Sequence, residues 1–141
     1  LLIGSGEDEN KLKKFIKDQE ISKFVKFIAF TKNPFKYIAK SDVKVLSSKF
    51  EGNPNILLEV ACLKKLIISS DCKVGPREIL QAGKGGFLYK VGNHRKLCEL
   101  LKNIKLSSKE IKNKIKISHD YVFKNYQKDI SMSFINLTKD I

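Results

Sequence analysis

A chain of 141 residues with 42% hydrophobic and 30% charged residues holds enough apolar material for a packed core and too much for a disordered tail. Its formal net charge of +13 excludes an acidic solvating segment and favours anionic partners, yet only two of its 28 cations, Arg77 and Arg95, are arginine. Because the guanidinium fork makes most specific base-edge contacts, the charge reads as solvated lysine or as attraction to an anionic membrane surface, and no specific nucleic acid is expected.

In chain order, Leu1-Leu2-Ile3 before Gly4-Ser5-Gly6 predicts a strand running into a tight turn. The chain starts inside that strand, so the expectation is a product truncated at its N-terminus. Glu7, Asp8 and Glu9 precede Leu12, Phe15 and Ile16, a helical spacing with acids at the positive helix start. Phe24 to Phe30 reads as a buried strand, and Asn33-Pro34 opens a short helix over Phe35 to Ala39. Val43 to Leu46 is a further strand, Ser47 to Asn53 a polar loop, and Pro54 opens a helix bearing Ile56, Leu57, Val60 and Ala61.

Leu66 to Ile68 reads as a strand, Ser69 to Pro76 as a loop, and Phe87 to Tyr89 as a last strand after Gly83, Gly85 and Gly86. Asn93 is positioned to cap a helix through Leu101. Ser107 with Glu110 forms a capping box for a long lysine-rich helix, and a final amphipathic helix follows Gln127. The alternation of strands and helices makes one α/β domain, a Rossmann-like parallel sheet with helices on both faces followed by C-terminal helices. The loops at 4–8, 29–34, 47–54 and 69–78 all follow strands, the edge where ligands of such sheets sit.

No apolar run approaches the roughly 20 residues of a bilayer span, and no leader opens the chain, which sets the expectation of a cytoplasmic protein. Cys62, Cys72 and Cys98 lack metal-type spacing, and His94 and His119 are remote from them. The cysteines read as reduced core residues, with no metal or cofactor expected.

Glu51 closes the loop after the 43–46 strand, and the N–H groups of Gly52, Asn53 and Asn55 stand near the positive start of the next helix, where a diphosphate would be received. Gly52 allows close approach to the main chain. Glu59, about a turn and a half inside the helix, lies too deep to cap it but can accept hydrogen bonds from vicinal ribose hydroxyls. Spacing alone leaves open a blander account, in which Glu51 complements the helix dipole and Glu59 is a solvated face residue.

The segment SSKFEGNPNILLEVACLKKLIISSDCKVGPREIL followed by GKGGFLYKVGN resembles the donor-binding half of a retaining nucleotide-sugar glycosyltransferase of glycosyltransferase family 4, with the GT-B architecture. The likeness extends through Leu2 to Gly6, Phe27 to Tyr37 and Ser41 to Val43, about residues 1 to 95 in all. It implies that Glu51 contacts the transferred sugar and that Glu59 holds the nucleotide ribose. It further implies that main chain from Gly52 and Asn53 through Pro54 to Asn55 faces the sugar or diphosphate, and that Phe30, Thr31 and Lys32 lie against the base. Arg77 would meet a phosphate or form a surface ion pair with Glu78 or another acid.

The partners implied are a nucleotide-sugar, foremost a UDP-sugar, and a glycan or lipid-linked acceptor of the kind used in polysaccharide biosynthesis. Hexosyl or N-acetylhexosaminyl transfer is the expected chemistry, with peripheral contact to an anionic membrane. The acceptor-binding N-terminal domain of such enzymes is absent, so the chain alone is expected to be inactive. Lys64 and Leu66 replace a common glycine and proline, Asn53 a common apolar residue, and Ala29 a frequent glycine. Two competing readings remain: a basic non-catalytic module docking on anionic membrane or nucleic acid, and a dinucleotide site at Gly4-Ser5-Gly6, which lacks its third glycine.

Overall fold

Short apolar runs bounded by turn residues leave only short strands, and the computed structural model, which describes residues 1–31 and 33–126, contains five of them among the described residues. Lys32 and the helix expected after Gln127 lie outside the described residues. The chain divides into two compact units, Leu1–Pro34 and Phe35–Ile141.

In the first unit, β1 (Leu2–Ile3) pairs in parallel with β2 (Phe27–Ile28), Leu2 opposite Phe27 and Ile3 opposite Ile28. Between them runs α1 (Glu9–Asp18), with Glu9 in its first turn and Lys17 in its last, as the helix dipole favours. Of the three apolar residues expected to face a core, only Ile16 is buried; Leu12 and Phe15 remain exposed. The buried strand expected over 24–30 is also shorter than its composition suggested. Ser22–Phe24 is a turn of 3-10 helix, only Phe27–Ile28 pairs, and Phe24 and Phe30 are 75% and 76% exposed.

The second unit begins with α2 (Phe35–Ala39) and continues as β3 (Val43–Leu46), α3 (Asn55–Cys62), β4 (Leu66–Ser70), α4 (Pro76–Ile79), β5 (Phe87–Tyr89), α5 (His94–Asn103) and α6 (Lys109–Asn125). Its sheet is parallel with order β3-β4-β5. Every residue of β4 is buried, so this central strand is covered on both faces, which is why it reads as a continuous apolar run instead of an alternating one. It extends beyond the expected Ile68 because Ser69 and Ser70 pair with Leu88 and Tyr89. Ile67 joins Leu57, Val60 and Ala61 of α3, Ile79, Leu80 and Val122 in the main core. Full burial of each leucine, isoleucine or valine among these stabilises the fold by about 1.5 to 3 kcal/mol.

The helix ends follow local chemistry. Asn93 caps α5, its side-chain oxygen accepting from the Lys96 N–H at 3.0 Å, as its residue type predicts. The α6 cap is Ser108, which accepts from the Ile111 N–H at 3.3 Å, one residue later than expected. With the cap at 108 the third helical position is Ile111, so Glu110 closes no capping box. Pro54 likewise occupies the cap of α3, and the helix proper begins at Asn55. Past the other end of α3, Lys64 has φ of 53°, the left-handed geometry for which glycine is the usual residue. A lysine there costs about 1 kcal/mol relative to glycine.

Candidate donor-binding site

The carboxyl ends of β3, β4 and β5 are tied together by groups at the strand ends and just past them. Ser70 Oγ donates to the Ser48 carbonyl at 2.7 Å, and the buried Cys72 Sγ donates to the same oxygen at 3.1 Å. Tyr89 Oη donates to the Leu46 carbonyl at 3.3 Å, and the Asp71 N–H to the Tyr89 carbonyl at 2.8 Å. The 47–54 loop is therefore held against the end of β4 and cannot swing freely. The 71–76 loop packs on it as well. Gly75 lies directly against the ring of buried Pro54, and a Cβ built on it would clash with Pro54 Cδ and sit 2.9 Å from Cγ.

On this double loop the chain mounts the candidate residues. Glu51 is half-buried; Phe50 beside it is 88% exposed. Gly52, Asn53 and Asn55 are exposed. At the start of α3 no side chain caps the helix, and the Pro54 carbonyl accepts from the Leu57 N–H at 2.8 Å. The Asn55 N–H, expected to be open to a ligand, donates instead to the Asn53 carbonyl at 2.9 Å. That tight turn consumes it. The main-chain N–H groups without a partner among the described residues are those of Gly52, Asn53 and Ile56, the last of which the sequence reading missed. Unpaired amides at a helix start form a partial positive charge suited to an anion.

Glu59 is half-buried on α3 and accepts no side-chain hydrogen bond among the described residues. Burial pushes its carboxyl above the usual carboxylate range, and the charge of Lys44 on β3 partly offsets that rise. Lys44 is itself pushed down by burial and held up in part by Glu59. One turn along, burial and the charge of Glu59 raise the Cys62 thiol to about 11, so it stays protonated at neutral pH. The sequence pointed to Glu59 but not to Lys44; its signal was a lone lysine within the apolar run Val43 to Leu46.

Arg77, on α4, is gripped by Asp71, with Nε 3.1 Å from Oδ1 and a terminal nitrogen on Oδ2. Of the two roles left open for it, this structure displays the ion pair. Glu78 instead receives the hydroxyls of Tyr121 and Tyr126, both at 3.3 Å. Phe30 and Thr31 belong to the first unit, where the Thr31 hydroxyl accepts from the Asn33 N–H at 3.3 Å. Cys62, Cys72 and Cys98 are free thiols, but Cys98 is exposed on α5 and so is not a core residue. Among the described residues no helix is long and apolar enough to cross a membrane.

Residues 1–119 match the family model described as glycosyl transferases group 1. An uncharacterized glycosyltransferase of Methanocaldococcus jannaschii is 42% identical over 80 residues, 57% of this chain and 20% of the relative. The N-acetylgalactosamine-N,N'-diacetylbacillosaminyl-diphospho-undecaprenol 4-alpha-N-acetylgalactosaminyltransferase of Campylobacter jejuni is 30% identical over 104 residues, 74% of this chain and 28% of the relative. Anabaena HepE, solved in complex with UDP-glucose, shares the fold with a TM-score of 0.81 at 17% identity, over 99% of this chain and 40% of that one. The chain thus spans well under half the length of each of these proteins. The matches lend no support to a non-catalytic basic module. With the family model matched over most of its length and its parallel α/β architecture shared, the chain belongs to the group 1 glycosyl transferases, of GT-B fold.

Proposed function

We propose that this chain is the donor-binding part of a retaining glycosyltransferase, taking a nucleotide diphosphate sugar, foremost a UDP-sugar. The observation that carries the reading is the half-buried Glu59 carboxylate, without a hydrogen-bond partner among the described residues, on the helix whose approach leaves the Gly52 and Asn53 amides unpaired and whose first turn leaves that of Ile56. In this reading Glu59 accepts the two ribose hydroxyls, and the amides receive the diphosphate. Glu51 sits by the transferred sugar, placing and polarising it. As the donor bond breaks, negative charge grows on the departing diphosphate, and prearranged N–H donors of this kind contribute about 3 kcal/mol each to stabilising it. No metal ion takes part in the proposal. Arg77 joins the site only by exchanging Asp71 for a phosphate. Support for the donor class comes from the fold shared with Anabaena HepE, which binds UDP-glucose.

Calorimetric titration with UDP and UDP-sugars tests the reading. Glu59→Ala is expected to weaken UDP about tenfold or more, the scale of a charged hydrogen-bonded pair. Glu51→Ala should weaken the sugar nucleotide more than UDP itself. Equal UDP affinity in Glu59→Ala and the unaltered chain would reject the ribose role.

The acceptor in this proposal is a glycan or a lipid-linked saccharide, the latter favoured by the name of the Campylobacter relative. An anionic membrane surface goes with it. Leu101 on α5 and Leu106 in the turn after it are exposed, as are Arg95, Lys102 and Lys105, the apolar and cationic residue types that an anionic surface attracts. The chain should sediment with anionic vesicles and be released by added salt; sedimentation with neutral vesicles alone would exclude the charge argument.

A further inference from the structure

Lys44 is half-buried on β3, paired in register with Ile67, while Leu46 of the same strand packs on the main core. Directly paired residues of a parallel ladder share a face, so Lys44 stands on the face that carries Ile67 and the core side chains of α3. A lysine on such a face is unfavourable unless its charge is compensated. Its stem can lie along the apolar surface while the ammonium reaches toward the half-exposed rim. There it meets the field of Glu59, although the two groups make no direct hydrogen bond or close ion pair among the described residues.

This spacing has a chemical consequence. A lysine hydrogen-bonded to Glu59 would occupy the carboxylate oxygens, and an apolar residue at position 44 would let burial drive the carboxyl toward its neutral form, which is a poorer acceptor. We propose that Lys44 is a positioning residue for the donor: from the sheet face beside α3 it keeps Glu59 an open carboxylate, leaving both oxygens to the nucleotide's ribose hydroxyls. The inference rests on the donor-binding reading of Glu59. The titratable groups coupled to Glu59 are Lys44 from β3 and Cys62 from its own helix, and the Cys62 thiol remains neutral.

The test is UDP-glucose binding by the 141-residue chain across the mildly acidic to mildly alkaline range, by calorimetry. The doubly esterified diphosphate of this probe keeps a constant charge there, so the pH profile reports the protein. Binding needs the carboxylate, so affinity falls as pH drops through the raised pKa of Glu59. Removing the Lys44 charge removes the influence that lowers that pKa, and the acid limb should move to higher pH. Lys44→Met is expected to bind about tenfold more weakly on the acidic side and to approach the unaltered chain on the alkaline side.

Lys44→Arg should restore the original profile, since it keeps the charge. Lys44→Gln serves as a second neutral variant should methionine disturb the strand, with circular dichroism confirming the fold of each. A neutral, folded variant with unaltered affinity and an unmoved acid limb would overturn the proposal and leave Lys44 as a strand residue with a solvated head. If Glu59→Ala itself bound UDP normally, the ribose reading would fall first. Loss of binding in Glu59→Ala with no change in Lys44→Met would remove only the role of Lys44.

Discussion

Gly75→Ala is expected to lower stability by about 3 kcal/mol and to weaken nucleotide binding along with it. Two effects coincide at this position. The backbone has φ of 93° and ψ of −71°, a conformation L side chains rarely adopt. The added methyl would also collide with the ring of Pro54, which is buried and cannot yield without moving the turn from Gly52 to Asn55. Urea denaturation should show a lower midpoint with an unchanged slope, and titration with UDP should show reduced affinity in the folded protein. A loss below about 1 kcal/mol would mean that the 71–76 loop retreats from Pro54 cheaply.

Gly86→Ala should cost a comparable amount, about 2 to 3 kcal/mol, by a different route. A Cβ here would lie 2.7 Å from the Ile67 carbonyl oxygen and 3.1 Å from Leu80 Cδ2. The first is backbone of the central strand, and the second belongs to a fully buried side chain, so neither can move aside. Lys114 further restrains the segment, donating to the Gly83 carbonyl at 2.7 Å and to the Gly86 carbonyl at 3.3 Å. Since Gly86 precedes β5 and the 47–54 loop follows β3, at opposite ends of the parallel sheet, the variant should melt at lower temperature while the folded fraction keeps its UDP affinity. A matching loss of affinity would show that strain at β5 reaches the site.

The two variants separate what supports the site from what supports the sheet, and the sequence spoke unequally on the two. The helix at 35–39 and the strands at 43–46 and 87–89 have the bounds expected of them, because each is a short apolar run between strong turn signals. The segment 24–30 misled for the opposite reason. Its three phenylalanines, Phe24, Phe27 and Phe30, raise apolar content without fixing a register, and two of them face outward. Ser69 and Ser70 looked like loop because serine favours turns. They remain in the strand because their hydroxyls are satisfied locally, Ser69 on the Ser70 carbonyl and Ser70 on Ser48.

At the candidate site, the spacing of Glu51 and Glu59 and the glycine between them were legible as residue types at a helix start. What the sequence could not yield was the partner of each polar group, which depends on contacts between segments distant along the chain. The loss of the Asn55 amide to a local turn, the unpaired Ile56 amide and the influence of Lys44 on Glu59 are of this kind. The left-handed backbone at Lys64 was signalled only by the resemblance, through the glycine that the family commonly carries there.

The oxygen that fastens the Glu51 loop belongs to the main chain at Ser48, and both groups that hold it are side chains elsewhere, Ser70 and Cys72. Substituting position 48 therefore leaves the tether's acceptor in place, and drift there is tolerated so long as the backbone path survives. Heritable fragility is transferred to the two donors. A lineage could change the residue at the base of this loop freely while remaining bound to a hydroxyl and a thiol more than twenty positions downstream.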